Sequence, residues 1–174
     1  FAAGSAAAAL PFAAGETIRF QIKVFGIHVG FQDMTYNGET MLDGRRVLHA
    51  VADTRSLPSI QSTFGYSLHD VNEVWMDPAT LLPVRVAKTI QEGNWQDKVT
   101  IDIDQNGKTA LYRDKRNPAG IKIALRQDSL DILSLVYFVR ARQTQPGSVI
   151  NAEYIVDGKQ GVKQANIFVR AGAP

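Results

Sequence analysis

Short segments of alternating apolar and polar residues, separated by two-residue turn signals, constrain the fold of this chain more than any other feature. The clearest example runs from Glu16 to Phe25, where four apolar residues alternate with four polar ones. Such alternation is typical of a strand with one buried face and one face in water. Because further segments of this kind follow along the chain, the sequence predicts a mainly β, mostly antiparallel domain.

Turn signals set the limits of the predicted strands. Asn-Gly or Asp-Gly pairs at residues 37–38, 43–44, 106–107 and 157–158 favour tight hairpins. We interpret Gly26–Gly30 as a further turn, and Arg55–Ser62, which contains Pro58, as a loop. About ten strands result, over residues 16–25, 29–36, 46–54, 64–76, 82–91, 95–104, 108–113, 120–125, 148–156 and 160–170.

One helix is predicted over residues 128–142. Asp128 is positioned to cap it, with Asp131 three residues further on, and Arg140 and Arg142 suit its negative end. Between these ends the residues are apolar around nearly the whole circumference, so the helix must be enclosed. A sheet with one apolar face can enclose such a helix if it curls around it. We therefore predict a strongly curved, incompletely closed, barrel-like sheet around one largely buried helix. The rest of the helix surface then touches a second layer or lines a cavity.

Length and composition limit the classes of function. A chain of 174 residues fits one domain, expected over residues 15–174, after a flexible or processed N-terminal segment, residues 1–14. A net charge of +2, without a clustered basic face, argues against nucleic-acid binding. No segment is apolar over 18 residues, so we expect no transmembrane span.

The ordered motifs of the chain are similar to those of the bacterial envelope family called domain of unknown function 3108. The matching segments are PFAAGE (11–16), GIHVG (26–30), GRRVLHA (44–50), DPATLLPVR (77–85), EGNWQDKVTIDID (92–104), DSLDILSLVYFVR (128–140), PG (146–147) and DGK (157–159). The resemblance implies a curved, unclosed barrel around a helix, like that of lipoprotein carriers, and a place in the periplasm or envelope of a Gram-negative bacterium. It implies no catalytic residues.

No catalytic or metal-binding constellation stands out, so we expect neither an enzyme nor a cofactor. His28, His49 and His69 lack the spacing that presets a metal site. A hydrolase would need one of the loop serines beside His49 or His69, yet no nucleophile-elbow motif is present. The loop serines are Ser56, Ser59 and Ser62, with Asp53 and Asp70 as candidate partners for a histidine. Asp102 and Asp104 share one strand face, and we interpret them as part of a solvated polar surface.

An apolar ligand is the hypothesis that we favour. Its expected contacts are aromatic side chains, namely Phe64, Tyr66, Trp75, Trp95 and Tyr137. The predicted function is an exported, non-catalytic domain that carries a lipid, another apolar small molecule or a lipidated segment in its concave face. The alternative is an envelope scaffold or assembly factor that binds a protein partner through an exposed sheet edge. A hydrolase is the third hypothesis.

Overall fold

A computed structural model describes residues 10–142, 145–155 and 161–170, and its main feature is an eight-stranded antiparallel sheet. The eight strands follow each other in space in chain order, each paired with the next. They are β1 (Thr17–Val24), β2 (Ile27–Leu42), β3 (Arg45–Ser56), β4 (His69–Met76), β5 (Pro83–Glu92), β6 (Trp95–Asp104), β7 (Thr109–Arg113) and β8 (Ile121–Ala124). The predicted mainly β fold with a large antiparallel sheet is confirmed.

A second sheet of three strands follows the first one. Its order is β11 (Val162–Phe168), β10 (Val149–Ile155) and β9 (Ser129–Leu130). β10 pairs antiparallel with β11 and parallel with the two-residue β9. The described residues therefore contain eleven strands in two sheets, where the sequence predicted about ten antiparallel strands in one. The Asp157-Gly158 turn lies outside the described residues.

Two helices are present among the described residues, one more than predicted. Helix α1 (Pro58–Phe64) occupies most of the predicted loop at 55–62. Pro58 stands in its first turn, where a missing N–H costs nothing, and Gly65 ends it in the left-handed conformation, φ 66°. Helix α2 (Ile132–Ala141) lies within the predicted range but is capped by Asp131, not Asp128, because Ser129 and Leu130 pair with β10 instead.

The core lies on one face of the large sheet, called here the inner face. Alternate residues of β2 to β8 supply it, together with residues of α2, Ile155 of β10 and Phe12. Phe12 belongs to the predicted N-terminal segment, of which residues 10–14 are described, and its ring packs edge-on against Tyr36 and Tyr137. The opposite, outer face carries ion pairs such as Arg19–Asp33 and Arg85–Asp102.

Helix α2 lies between the two sheets, which explains its apolar circumference. Leu133 and Tyr137 join the core of the large sheet, whereas Leu130 and Leu135 form a smaller cluster with Leu82 and Ala152. Of the two alternatives for the rest of the helix surface, a second layer or a cavity, the second layer is therefore present. Ile132 is the apolar residue of α2 that points to solvent, 59% exposed.

Two predicted turns differ from the structure. The tight turn after β1 is Phe25-Gly26, with β2 beginning at Ile27 instead of at the predicted Val29. Asn37-Gly38 is no hairpin turn, because β2 continues through it with a β-bulge that shifts its register against β3. Gly38 accommodates the bulge at φ 93°, which a side chain would rarely adopt.

Candidate functional site

An open groove with an almost wholly apolar lining lies where the β1–β2 hairpin meets helix α1. Its volume is about 540 Å³, within the range of small-molecule sites. Its floor and walls come from β1, β2, the end of β3, α1 and the segment before β4. The lining residues are Ile22, Val24, Phe25, Ile27, Val29, Gly30, Thr54, Arg55, Ser56, Ile60, Phe64, Tyr66 and Leu68. We call this surface the α1 groove.

The α1 groove extends the inner face of the large sheet past the closed core. Thr54 and Ser56 continue the alternation of the buried residues Ala50 and Ala52 along β3. A hydrogen bond of 3.0 Å from the Gln32 side chain to the Thr54 hydroxyl lies between the two regions. Beyond that polar pair the inner face is apolar again but remains open to water.

The wall formed by α1 is held at both ends by backbone hydrogen bonds. The Leu57 N–H donates to the Val29 carbonyl at 2.8 Å, and the Ser56 N–H donates to the Leu68 carbonyl at 2.9 Å. These bonds fix the short helix over the start of β2 although none of the helix residues is buried. Ile60 and Phe64, one turn apart, line the groove, and Phe64 is 73% exposed.

Gly30 allows the floor of the groove to be narrow. It pairs with Ser56, and a Cβ added to it would overlap the Arg55 carbonyl oxygen and lie 3.2 Å from the carbonyl carbon. The close approach therefore depends on the absence of a side chain, not on an unusual φ angle.

Three polar side chains of the lining, those of Thr54, Arg55 and Ser56, are engaged within the protein. The Ser56 hydroxyl accepts the Leu68 N–H at 3.0 Å, and the Thr54 hydroxyl accepts from Gln32. Arg55 forms a two-pronged ion pair with Asp53, at 2.8 and 2.6 Å. What the groove offers to a guest is therefore chiefly dispersion contact and the burial of apolar surface.

Tyr66 marks the end of the groove nearest the β5–β6 turn. Its ring lies against Gly93, at whose position a Cβ would be 3.4 Å from Cδ2. Desolvation raises the pKa of Tyr66, and the charges of Glu92 and Asp70 raise it further. The phenol is therefore neutral at physiological pH, so the apolar lining carries no tyrosinate.

Of the five aromatic residues predicted to contact a ligand, the structure brings Phe64 and Tyr66 together in this groove. Tyr137 is 1% exposed in the core, where burial raises its pKa to about 12 although the Arg140 charge lowers it. Trp75 lies on the outer face, stacked on His49 with ring centroids 4.9 Å apart. Trp95 begins β6, half-exposed, and is outside the groove lining.

The histidines and serines considered for catalysis lie in separate structural contexts. The His49 ring contacts Glu73 at 3.0 Å and Asn37 at 3.2 Å, and His69 lies 3.3 Å from Asp53. Ser62 donates to the Ser59 carbonyl within α1. Within residues 10–142, 145–155 and 161–170, no three His, Cys, Asp or Glu side chains gather as a metal site would require.

Asp102 and Asp104 take structural roles. Burial raises the pKa of Asp102, but hydrogen bonds from Arg113 and Arg85, at 2.6 and 2.5 Å, outweigh it and hold the pKa below its usual range. Asp104 accepts the N–H groups of Asn106 and Gly107 and so closes the β6–β7 turn.

Sequence reasoning missed the apolar hairpin turn and α1 as parts of this site. The signal was an apolar Val24-Phe25-Gly26-Ile27 turn, where Asn or Asp is usual before the glycine. Ile60 lies in a segment rich in serine, and this composition favoured the interpretation of the segment as a loop.

Fold and groove together define a mainly β domain with an open apolar groove beside its core. The chain belongs to the family described as "Protein of unknown function (DUF3108)", whose model matches residues 9–170. This confirms the resemblance found in the sequence motifs. No curated protein and no solved structure matches the chain significantly. Neither helix of the described residues is long and apolar enough to cross a membrane.

Proposed function

We propose that this domain binds one apolar chain, from a lipid or a lipidated segment, in the α1 groove and carries it without chemical change. The observation that carries the proposal is the lining itself, which is open and apolar and whose Thr54 and Ser56 hydroxyl groups already accept hydrogen bonds from the protein. Burying about eight methylenes would contribute roughly 6 kcal/mol. The cost of association offsets much of that energy, so the net affinity is moderate. The expected binding is therefore reversible, as a carrier requires.

The proposed place of action is the periplasm or envelope of a Gram-negative bacterium. Support comes from the family motifs, since the family resembles exported proteins of that compartment. We further infer that the large sheet curls as an unclosed barrel against α2. The inner-face residues of seven successive strands belong to one core cluster with Leu133 and Tyr137, and a curled sheet accounts for this.

Binding of a fluorescent fatty acid, displaced by palmitate, tests the proposal directly. Phe64→Ser and Ile60→Asp should each weaken fatty-acid binding about tenfold, because each removes apolar contact that contributes roughly 1.5 kcal/mol or more to the binding free energy. Both residues lie in a helix without buried residues, so the thermal melt should change little. Met41→Ser is the matched control, because Met41 is also an exposed apolar residue, at the other end of β2.

A second candidate function is that of a scaffold binding a protein partner at strand β1. β1 is one of the two edge strands of the large sheet, and the apolar side chain of Phe20 on it is half-exposed. If the fatty acid does not bind, or if both groove variants bind it like the parent, the carrier proposal is wrong. Loss of partner capture on replacing Gln21 by Pro, with fatty-acid binding unchanged, would favour the scaffold.

A further inference from the structure

The turn between β1 and β2 places a phenylalanine where its backbone is strained and its side chain is wholly in water. Phe25 has φ 50° and is fully exposed, and Gly26 follows at φ 80°. A bulky residue at positive φ is a genuine outlier. Such strain in an exposed position points to a role for the side chain outside the folded core.

The turn at the other end of β2 can be compared with Phe25-Gly26. β2 ends at the Asp43-Gly44 turn, whose φ angles of 50° and 78° nearly match those of Phe25-Gly26. Asp is one of the residues that suit this position, because its short polar side chain tolerates the left-handed region. One end of β2 therefore has an ordinary hairpin turn, whereas the other carries an aromatic ring in the equivalent place.

Exposed apolar side chains surround Phe25 and continue into the α1 groove. Val24 and Ile27 are the residues next to the turn, and both are about half-exposed or more. Phe64 of α1 lines the same groove as all three. Phe25 thus forms the tip of an apolar surface that leads from the end of the hairpin to the proposed binding site.

The charge next to the turn is positive. Residues 17–32 contain no Asp or Glu, and because Arg19 is paired with Asp33, the Lys23 ammonium group is the cation nearest the turn. Lys23 and His28 are cross-strand partners, so their side chains leave the same face of the hairpin, next to the turn. An apolar tip beside the Lys23 cation complements a membrane with anionic headgroups, where the ammonium group meets phosphate and the ring enters the interface.

We propose that the β1–β2 hairpin docks the domain on an anionic phospholipid surface, with Phe25 inserted at its tip and the α1 groove facing the bilayer. The inference extends the proposed carrier function. It rests on that function in one respect, because a lipid carrier has a reason to visit a membrane. A second copy of this chain is a less suitable occupant, because two such hairpin tips would bring two Lys23 ammonium groups together.

Co-sedimentation of the full chain with phosphatidylglycerol vesicles, compared with phosphatidylcholine vesicles, tests the docking. Phe25→Asn is the decisive variant, because Asn suits the turn and should keep or raise the melting temperature while removing the ring. We expect it to weaken binding to the anionic vesicles at least tenfold. Lys23→Gln should weaken it about fivefold and reduce its dependence on salt.

Met41→Asn is the matched control, since it removes an exposed apolar side chain beside the Asp43-Gly44 turn, and vesicle binding should not change. Binding of the soluble fluorescent fatty acid, measured without vesicles, separates the two proposals, because the parent can fail in one assay and succeed in the other. The docking proposal is overturned if the parent does not sediment with anionic vesicles, if it binds neutral ones equally, or if Phe25→Asn binds as the parent does. Loss of soluble fatty-acid binding alone overturns only the carrier function.

Discussion

Single residues in this domain show how strongly local chemistry depends on the neighbouring strand. Glu153 is wholly buried, and among the described residues it forms no ion pair, yet its carboxyl group accepts hydrogen bonds from the Ser129 hydroxyl, the Arg126 N–H and the Gln164 side chain. These bonds join β10 to the segment before α2 and to β11. A buried carboxylate is tolerated because donors from three parts of the chain meet it.

Gly30 gives a prediction at this scale. Gly30→Ala should lower the free energy of unfolding by about 1–3 kcal/mol, because the new methyl group would overlap the Arg55 backbone and force β2 from β3. Urea unfolding measures the change. A variant as stable as the parent would show that the two strands separate without cost.

At the scale of elements, the position of α2 is fixed at its first turn. The Asp131 side chain accepts the N–H groups of Leu133 and Ser134, at 3.0 and 2.9 Å. The Ser134 hydroxyl in turn accepts the Asp131 N–H at 2.9 Å, which completes a capping box. Both residues are buried, so no water can replace these bonds. The cap therefore links the helix start to the adjacent strand β9.

Removing this cap should be costly. Asp131→Ala is expected to destabilise the domain by about 2 kcal/mol, near the upper limit for an N-cap, because buried N–H groups lose their acceptor. Asp128→Ala is the matched control, since Asp128 is exposed and, among the described residues, pairs with Lys108 at the surface. Equal melting temperatures for the two variants would contradict the assignment of Asp131 as the cap.

The enclosure of α2 gives a second prediction for this element. Leu133→Asp should abolish cooperative unfolding, because an unpaired carboxylate would enter a core position that is 3% exposed. Ile132→Asp, one residue earlier on the solvent side, should be tolerated. Far-ultraviolet circular dichroism during heating distinguishes the two, and a cooperative melt for Leu133→Asp would contradict the enclosed helix.

At the scale of the whole molecule, carboxylates on the outer face tie neighbouring strands together. An Arg19 hydrogen bond lowers the pKa of Asp33. Burial raises the pKa of Asp77, but hydrogen bonds from Arg45 and from the turn residues Ala79 and Thr80 hold it below its usual range. With Asp102, these groups join β1 to β2, β3 to the β4–β5 turn, and β5 to β7.

These lowered pKa values predict acid sensitivity. A carboxylate with a lowered folded-state pKa stabilises the fold above its unfolded pKa, and that stability is lost as the pH falls through the folded value. The free energy of unfolding should therefore decrease below about pH 4. Urea titrations from pH 7 to pH 3 measure this, and Asp102→Asn should flatten the curve. An unchanged curve for the variant would show that its ion pairs add nothing.

The sequence by itself determined the β class, the family, most strand ranges and the region of the helix. These follow from local patterns: alternation over two residues defines a strand face, as for β6, whose observed range Trp95–Asp104 is the predicted one. An all-round apolar segment likewise required enclosure of α2, whatever the second layer proved to be.

Only the tertiary structure decided where the open apolar surface lies. Phe64 and Trp75 are both aromatic, yet one lines the α1 groove and the other stacks on His49 across the sheet, because strand parity and register decide the face. The helix cap is Asp131 and not the predicted Asp128, because Ser129 and Leu130 pair with strand β10, about 24 residues further along the chain. Groove and cap depend on contacts between distant segments, which no local pattern of residues encodes.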